Sequence, residues 1–229
     1  MEINNVRVYG LEESIIASGY PLRTEVPNYE EFSNLANDLC KMIHLDCDID
    51  NSNAIQRLKR IENLANTPIG SGHNCALKGA IVQYDLTAPE YFWRQFDRYH
   101  YHDYISSQSK MHCIPEFNIN KMCNKYVSQN TIYELNHFID LYNNFENKSL
   151  PYLVLRDGTT IDFTKQNIFQ LIISNCPAGF ELTARITDNY LQLKSKYQQR
   201  RQHKLEEWQY YCDWIETLPM AKELIVGRD

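Results

Sequence analysis

The chain lacks the usual marks of several protein classes. Its apolar runs, such as Leu171-Ile172-Ile173, are far shorter than the ~20 residues a membrane-spanning helix needs. Its first residues, Met1-Glu2-Ile3-Asn4-Asn5, carry neither a basic stretch nor an apolar core, so no secretory signal is expected. It has no basic excess. Lys and Arg number 23 against 29 Asp and Glu, and the net charge of −6 disfavours nucleic acid as a partner. No C-x-x-C occurs. The seven cysteines (Cys40, Cys47, Cys75, Cys113, Cys123, Cys176 and Cys212) are odd in number and irregularly spaced. Neither a disulfide framework nor a metal site is therefore expected, and reduced thiols in the cytoplasm are the default. Walker A, G-x-G-x-x-G and G-x-S-x-G are also missing, which removes the common nucleotide-fold and hydrolase fingerprints.

What is present is an ordinary globular composition: 229 residues, 43% hydrophobic and 23% charged, enough for one compact domain. Sixteen Tyr and nine Phe suit either a densely aromatic core or the stacking of a planar ligand. Val6 to Tyr9 reads as an opening strand ending at Gly10. Tyr29 to His44 reads as a helix, with Phe32, Leu35, Ala36, Leu39 and Ile43 at helical spacing. Asn53 to Ala65 reads as a second helix, capped by Asn51 or Ser52. Pro68 to His73 is a turn, and Ala76 to Leu86 an extended segment. Thr87-Ala88-Pro89-Glu90 reads as a helix start, with Thr87 as N-cap, and the helix is expected to run to about Tyr101. Ile105 to Met111 reads as irregular or extended. Thr131 to Phe145 is an amphipathic helix, Asn144 to Ser149 a polar loop, and Phe163 to Ser174 a further helix. A long helix is expected over Phe180 to Arg201, and another over Leu205 to Leu218, stopped by Pro219. The expected fold is one helix-rich α+β domain with a small central sheet, spanning residues 1–229.

Three segments concentrate chemistry. In Gly70-Ser71-Gly72-His73 two glycines permit close approach to the backbone, and His73 offers a hydrogen-bond donor. Taken alone, it reads as a tight turn with an exposed His. Arg98 to His112 gathers a guanidinium, three imidazoles, three phenols, three hydroxyls, an amide and an ammonium. That set suits either a polar helix end followed by an edge strand, or a site holding a phosphate and a planar ring. His100-Tyr101-His102 has no matching carboxylate or thiol spacing to make a metal pair. The third segment is Thr183-Ala184-Arg185, followed by Arg200-Arg201-Gln202-His203-Lys204 and Trp208. Its arginines suit bidentate phosphate binding, or a solvated helix end.

In order and spacing these segments resemble the flavin-dependent thymidylate synthase family, over about Asn53 to Trp214. That family has a G-H turn leading into a strand, then a helix ending in R-H-R-x7-S, then a late helix with an Arg before a Trp. Here Ser71-Gly72-His73, Gln95 to His100, Ile105 to Ser109, Thr183-Ala184-Arg185 and the Arg201-to-Trp208 spacing stand in those places. The sequence also looks like small bacteriophage-encoded relatives. It departs from the signature at its arginines. Anchored on Arg98, the second arginine is replaced by His100. Anchored on Ser109, His100 takes the place of the family's His, with Tyr99 and Tyr101 where arginines would be. The S-x-R-Y ending becomes Ser109-Lys110-Met111-His112, and a lysine binds phosphate as a point charge, without the bidentate fork.

The resemblance implies an FAD-dependent enzyme that transfers a methyl group to a pyrimidine deoxynucleotide of the dUMP type, using reduced nicotinamide and methylene-folate. It implies a homotetramer. It places His73, Arg98 and His100 near FAD. It assigns Ser107, Gln108, Ser109, Lys110, Arg185 and Arg201 to the nucleotide, with Ser109 and Arg201 also at the reacting centre. The altered arginines open an alternative: a non-catalytic nucleotide-binding or host-factor-interacting protein of phage type on the same fold. A third reading makes Lys194, Lys196, Arg200, Arg201 and Lys204 a basic stripe for DNA, against the net charge.

Overall fold

The computed structural model describes residues 1–45, 52–68, 70–148 and 150–227. Strand β1 covers Glu2–Tyr9 and helix α1 Leu11–Ala17. Gly10 joins them at φ 71°, and a Cβ there would come within 2.6 Å of the Gly79 carbonyl oxygen, so conformation and space both demand glycine. A Cβ at Gly79 would in turn overlap Ser14 Oγ. Helix α2 occupies Tyr29–His44, the span its periodicity predicts. Asn28 accepts from the Glu31 N–H at 3.0 Å and donates its own N–H to Glu31 Oε2 at 3.2 Å, a capping box that sets the helix start. Helix α3 covers Ser52–Ala65. Ser52 is already helical, and the alternative cap, Asn51, lies outside the described residues.

A 3-10 turn over Cys75–Lys78 replaces the start of the extended segment expected from Ala76. Strand β2 then runs Ile81–Pro89 with Val82, Tyr84, Leu86 and Ala88 buried, the alternation of a half-buried strand. Helix α4 is shorter than expected, Glu90–Phe96. Thr87 does not cap it, because Thr87 still lies in β2, where its hydroxyl meets Thr183 Oγ1 at 2.7 Å. Strand β3 covers Asp103–Ser107, and short helices α5 and α6 cover Lys110–Cys113 and Ile119–Met122. Helix α7 spans Gln129–Asn143, capped by Ser128. Strands β4 (Tyr152–Val154) and β5 (Thr160–Asp162) form an antiparallel hairpin that the sequence reading lacked, with Leu153 opposite Ile161. Helix α8 is Lys165–Asn175.

The long helix expected over Phe180 to Arg201 is instead strand β6, Glu181–Asn189, followed by helix α9, Tyr190–Arg200. Ala184, Ile186 and Asp188 alternate inward along the strand. Asn189 then caps α9 through a second capping box, with Gln192. Helix α10 (Glu206–Glu216) and a π-helical turn at Lys222–Val226 complete the chain. The strand order is β1-β2-β6-β3, so the fold is helix-rich with a small sheet. Among the described residues, no helix is long and apolar enough to cross a membrane.

By contact the chain divides into two compact units. One comprises Met1–Glu2, Leu86–Arg98 and Ser106–Ala184. Its core is apolar: Ile132, Leu135 and Ile139 of α7 pack with Ile168 and Ile172 of α8, joined by Ile114, Ile119 and Phe180. The other comprises Ile3–Asp85, Tyr99–Ile105 and Arg185–Asp229. Among its fully buried side chains are four large aromatics, Tyr84, Tyr190, Trp208 and Tyr211.

Candidate ligand site

In the α9–α10 unit a cavity of about 790 Å³ opens beside the turn after α4. Tyr99, His100, Tyr101 and Asp103 line one side. Asn189, Leu191, Gln192, Ser195 and Lys196 of the β6–α9 junction line another, with Lys78. Tyr101 is held at φ 86°, a left-handed conformation rare for an aromatic residue. Gln192 donates its side-chain N–H to the Tyr101 carbonyl and so ties that turn to α9. Tyr101 is 85% exposed and His100 is exposed, their rings meeting edge to face at 6.3 Å on the solvent side of the cavity.

Beneath the cavity lies a buried polar network. Lys196 Nζ reaches Asp188 Oδ2 at 2.7 Å and Oδ1 at 2.9 Å, with side-chain exposures of 1% and 0%. Tyr84 donates to Asp188 Oδ2 at 2.7 Å, and the Tyr84 and Tyr211 hydroxyls are 2.6 Å apart. Burial pulls the Lys196 ammonium below the usual lysine range, against the opposing pull of Asp188. Burial also pushes the Tyr84 and Tyr211 phenols well above theirs, reinforced by the neighbouring carboxylate. Next to the network, Arg200 donates to Tyr99 Oη at 2.5 Å. Its guanidinium carbon lies 5.3 Å from the Tyr99 ring centre and 4.7 Å from that of Trp208.

The expected site residues fall in several places. His100 lines the cavity just described. His73 lines a second cavity of the same unit, about 670 Å³, with Ser18, Arg60 and Gly72. Arg185 is engaged by Asp85 at 3.1 Å and the Asn5 carbonyl at 2.8 Å, and the Asn5 amide with Arg185 holds the Asp85 carboxyl below its usual range. Arg201 does not face the cavity partners of Arg200. It pairs with Asp213 at 2.6 Å and Glu216 at 3.3 Å.

In the α7–α8 unit, Arg98 is exposed just beyond α4, and Ser107 is exposed at the end of β3. Gln108 pairs with Thr183 through its N–H to the Thr183 carbonyl and its Oε1 from the Thr183 N–H, both at 2.9 Å. Ser109 Oγ lies 2.9 Å from His112 Nδ1. Lys110 is bound to Glu90 at 2.6 Å, and Arg94 reaches the other Glu90 oxygen at 2.9 Å. Burial pushes the Glu90 pKa up, but those two cations outweigh it and leave it below the usual range.

The basic stripe is not formed. Lys194 is buried and donates to the Leu224 and Ile225 carbonyls, and Lys196 is buried on Asp188. Sequence reasoning missed Tyr84, Asp188, Gln192 and Tyr211. The available signal was the polar Asp188 at an inward position of a period-2 pattern, eight residues before a lysine.

No family model matches the chain, and no curated protein matches it by sequence. Solved structures do match. One crystal structure of thymidylate synthase X from Helicobacter pylori, with FAD and dUMP, aligns with a TM-score of 0.64 at 12% identity, covering 98% of this chain and 97% of that one. A second, of the flavin-dependent thymidylate synthase from the same organism complexed with FAD and dUMP, aligns at 0.58 and 12% identity, covering 98% of both chains. The chain therefore shares the fold of these proteins from end to end.

Proposed function

We propose that this chain is a divergent flavin-dependent enzyme acting on a pyrimidine deoxynucleotide, methylating a dUMP-type substrate as a homotetramer in the cytoplasm, with residues 1–229 as one functional domain. The observation that carries the reading is the end-to-end likeness of fold to proteins solved with FAD and dUMP. The α9-side cavity supports it locally. Its donor set suits a planar, anionic cofactor: Tyr99 and Tyr101 offer ring faces, Lys78 a cation, and His100 and Gln192 hydrogen-bonding groups.

In this reading His73, Arg98 and His100 hold the flavin. Ser107, Gln108, Ser109, Lys110, Arg185 and Arg201 hold the nucleotide, with Ser109 and Arg201 nearest the reacting atoms. Bound FAD supplies hydride chemistry, drawing on reduced nicotinamide, with methylene-folate as the carbon source. The chain's own part is placement and charge. Lys196 on Asp188 anchors α9 behind the cavity, and Gln192 holds the Tyr101 turn, so the lining is set before a ligand arrives. Lys78 and Lys110 supply positive charge toward anionic groups of the ligands.

A second reading, a nucleotide-binding protein without turnover that contacts a host factor, is favoured by the pairing of Lys110 with Glu90 and of Arg201 with Asp213, each at 2.6 Å. The deciding measurement is the absorption spectrum of the desalted protein before and after FAD is added, with mass by light scattering. Retained flavin bands on a tetramer, with methyl transfer to dUMP, are the expected result. A correctly assembled protein that binds dUMP but takes up no FAD overturns the enzyme reading in favour of the second.

A further inference from the structure

Outside these cavities, three side chains of metal-binding type converge in the α9–α10 unit. Cys40 and His44 lie four residues apart on α2, which puts them on one helix face. Glu12, in the first turn of α1, meets them from the neighbouring helix, and α1 packs on α2. One ligand atom of each, the Cys40 sulfur, a His44 ring nitrogen and a Glu12 carboxylate oxygen, lies within 4.8 Å of the other two. His44 Nε2 is 3.1 Å from Glu12 Oε1.

We propose that Glu12, Cys40 and His44 form a zinc site that clips α2 onto α1. The geometry suits it. Tetrahedral zinc with bonds of ~2.0–2.3 Å sets its ligand atoms about 3.3–3.7 Å apart, so the three atoms need only side-chain adjustment. The donor set selects the metal. A thiolate and an imidazole with one carboxylate prefer zinc to magnesium or calcium, which take oxygen ligands. The thiol and imidazole are exposed, so the ion has an open path to them. On binding, the Cys40 thiol gives its proton to solvent and the sulfur bonds the metal. The imidazole donates from its neutral form, and a water fills the fourth position. A clip adds to the packing of this helix: Leu39 is the one fully buried side chain of α2, while Phe32, Leu35, Ala36, Met42 and Ile43 are half-buried.

The test uses the full chain, stripped with a chelator, titrated with zinc ions alone against a chromophoric competitor, and with cobalt ions for absorption. One equivalent of zinc is expected, with a sulfur-to-cobalt charge-transfer band and a higher unfolding temperature in zinc. Disturbing groups that only hydrogen-bond the metal ligands already costs roughly 10–100-fold in affinity, so Cys40→Ser and His44→Ala should each lose at least that. Cys40→Ser should also abolish the charge-transfer band. Cys40 is exposed, so its serine variant is expected to fold, and metal-free unfolding curves matching the parent establish that. Cys75→Ser, which removes an exposed thiol next to His73-Asn74, should change nothing. Absence of stoichiometric zinc binding, binding indifferent to Cys40→Ser and His44→Ala, or binding lost in Cys75→Ser would each overturn the proposal.

Discussion

The two units are built on different interiors. The α7–α8 unit is held by Ile and Leu side chains of its helices and by the buried rings of Phe92, Phe96 and Phe180, an apolar interior. The α9–α10 unit sinks a lysine, an aspartate and two tyrosines among its aromatics and satisfies them with one another. Apolar burial gives stability without direction. A buried ion pair is weak evidence for stability, because desolvating both charges offsets much of their attraction. What it does here is hold Lys196 of α9 against Asp188 of β6, behind the wall of the larger cavity. The apolar interior holds its helices together, and the polar one in addition fixes how α9 sits on β6.

The sharpest break of this comparison is Lys196→Met. Leaving the buried Asp188 carboxylate without its cation, held by the tyrosine hydroxyls, should cost about 3–5 kcal/mol in urea unfolding. Adding Asp188→Leu should restore much of that loss, while ligand uptake by the cavity stays impaired. Recovery of both together would deny the network its aiming role. Ile172→Ala in the apolar core should cost about 2–5 kcal/mol, with no partner substitution able to rescue it by charge.

Alkaline titration separates the interiors further. Tyr84 and Tyr211 keep their protons in the folded state well above the ordinary phenol value of 10.0, while the unfolded chain releases them there. The folded state then holds more protons, so stability should fall as pH rises past 10.0. Lys196, with its folded value lowered, acts in the opposite sense, but only up to its unfolded value of 10.5. Above 10.5 Lys196 no longer opposes the buried phenols, and Tyr84→Phe should flatten the slope in chemical unfolding series. The smallest effect belongs to Arg201→Ala. Its partners are half-exposed surface carboxylates, so the stability loss should stay within about 0–1 kcal/mol, while calorimetry should read weaker nucleotide binding.

Much of this architecture is legible along the chain, where packing and local signals agree. Helix α2 carries a capping box and one apolar stripe, and its ends fall where the spacing puts them. Helix α7 is within two residues of its expected span at each end. Strand β6 is not legible, because Leu182, Ile186, Tyr190 and Leu193 read through the junction at helical spacing, while the inward alternation at Ala184, Ile186 and Asp188 shows only in the fold. The ligand site divides the same way. The polar turn from Tyr99 to Asp103 announces itself by composition, and it lines a cavity. Lys196 looks like one more solvated cation until its aspartate, on the preceding strand, is placed against it. Glu12, Cys40 and His44 are separated by 28 and 4 positions in the sequence, so only the packing of two helices makes them neighbours.

The backbone contact between Gly10 and Gly79 has a consequence for how this chain can vary. A side chain at position 10 runs into the Gly79 carbonyl, and a side chain at position 79 runs into Ser14. Ser14 in turn hydrogen-bonds the Gly10 carbonyl at 2.6 Å. The three positions form an epistatic unit. Position 10 is closed by the Gly79 carbonyl whatever the side chains, and position 79 is closed while Ser14 stays, so a permitted path must change position 14 before position 79.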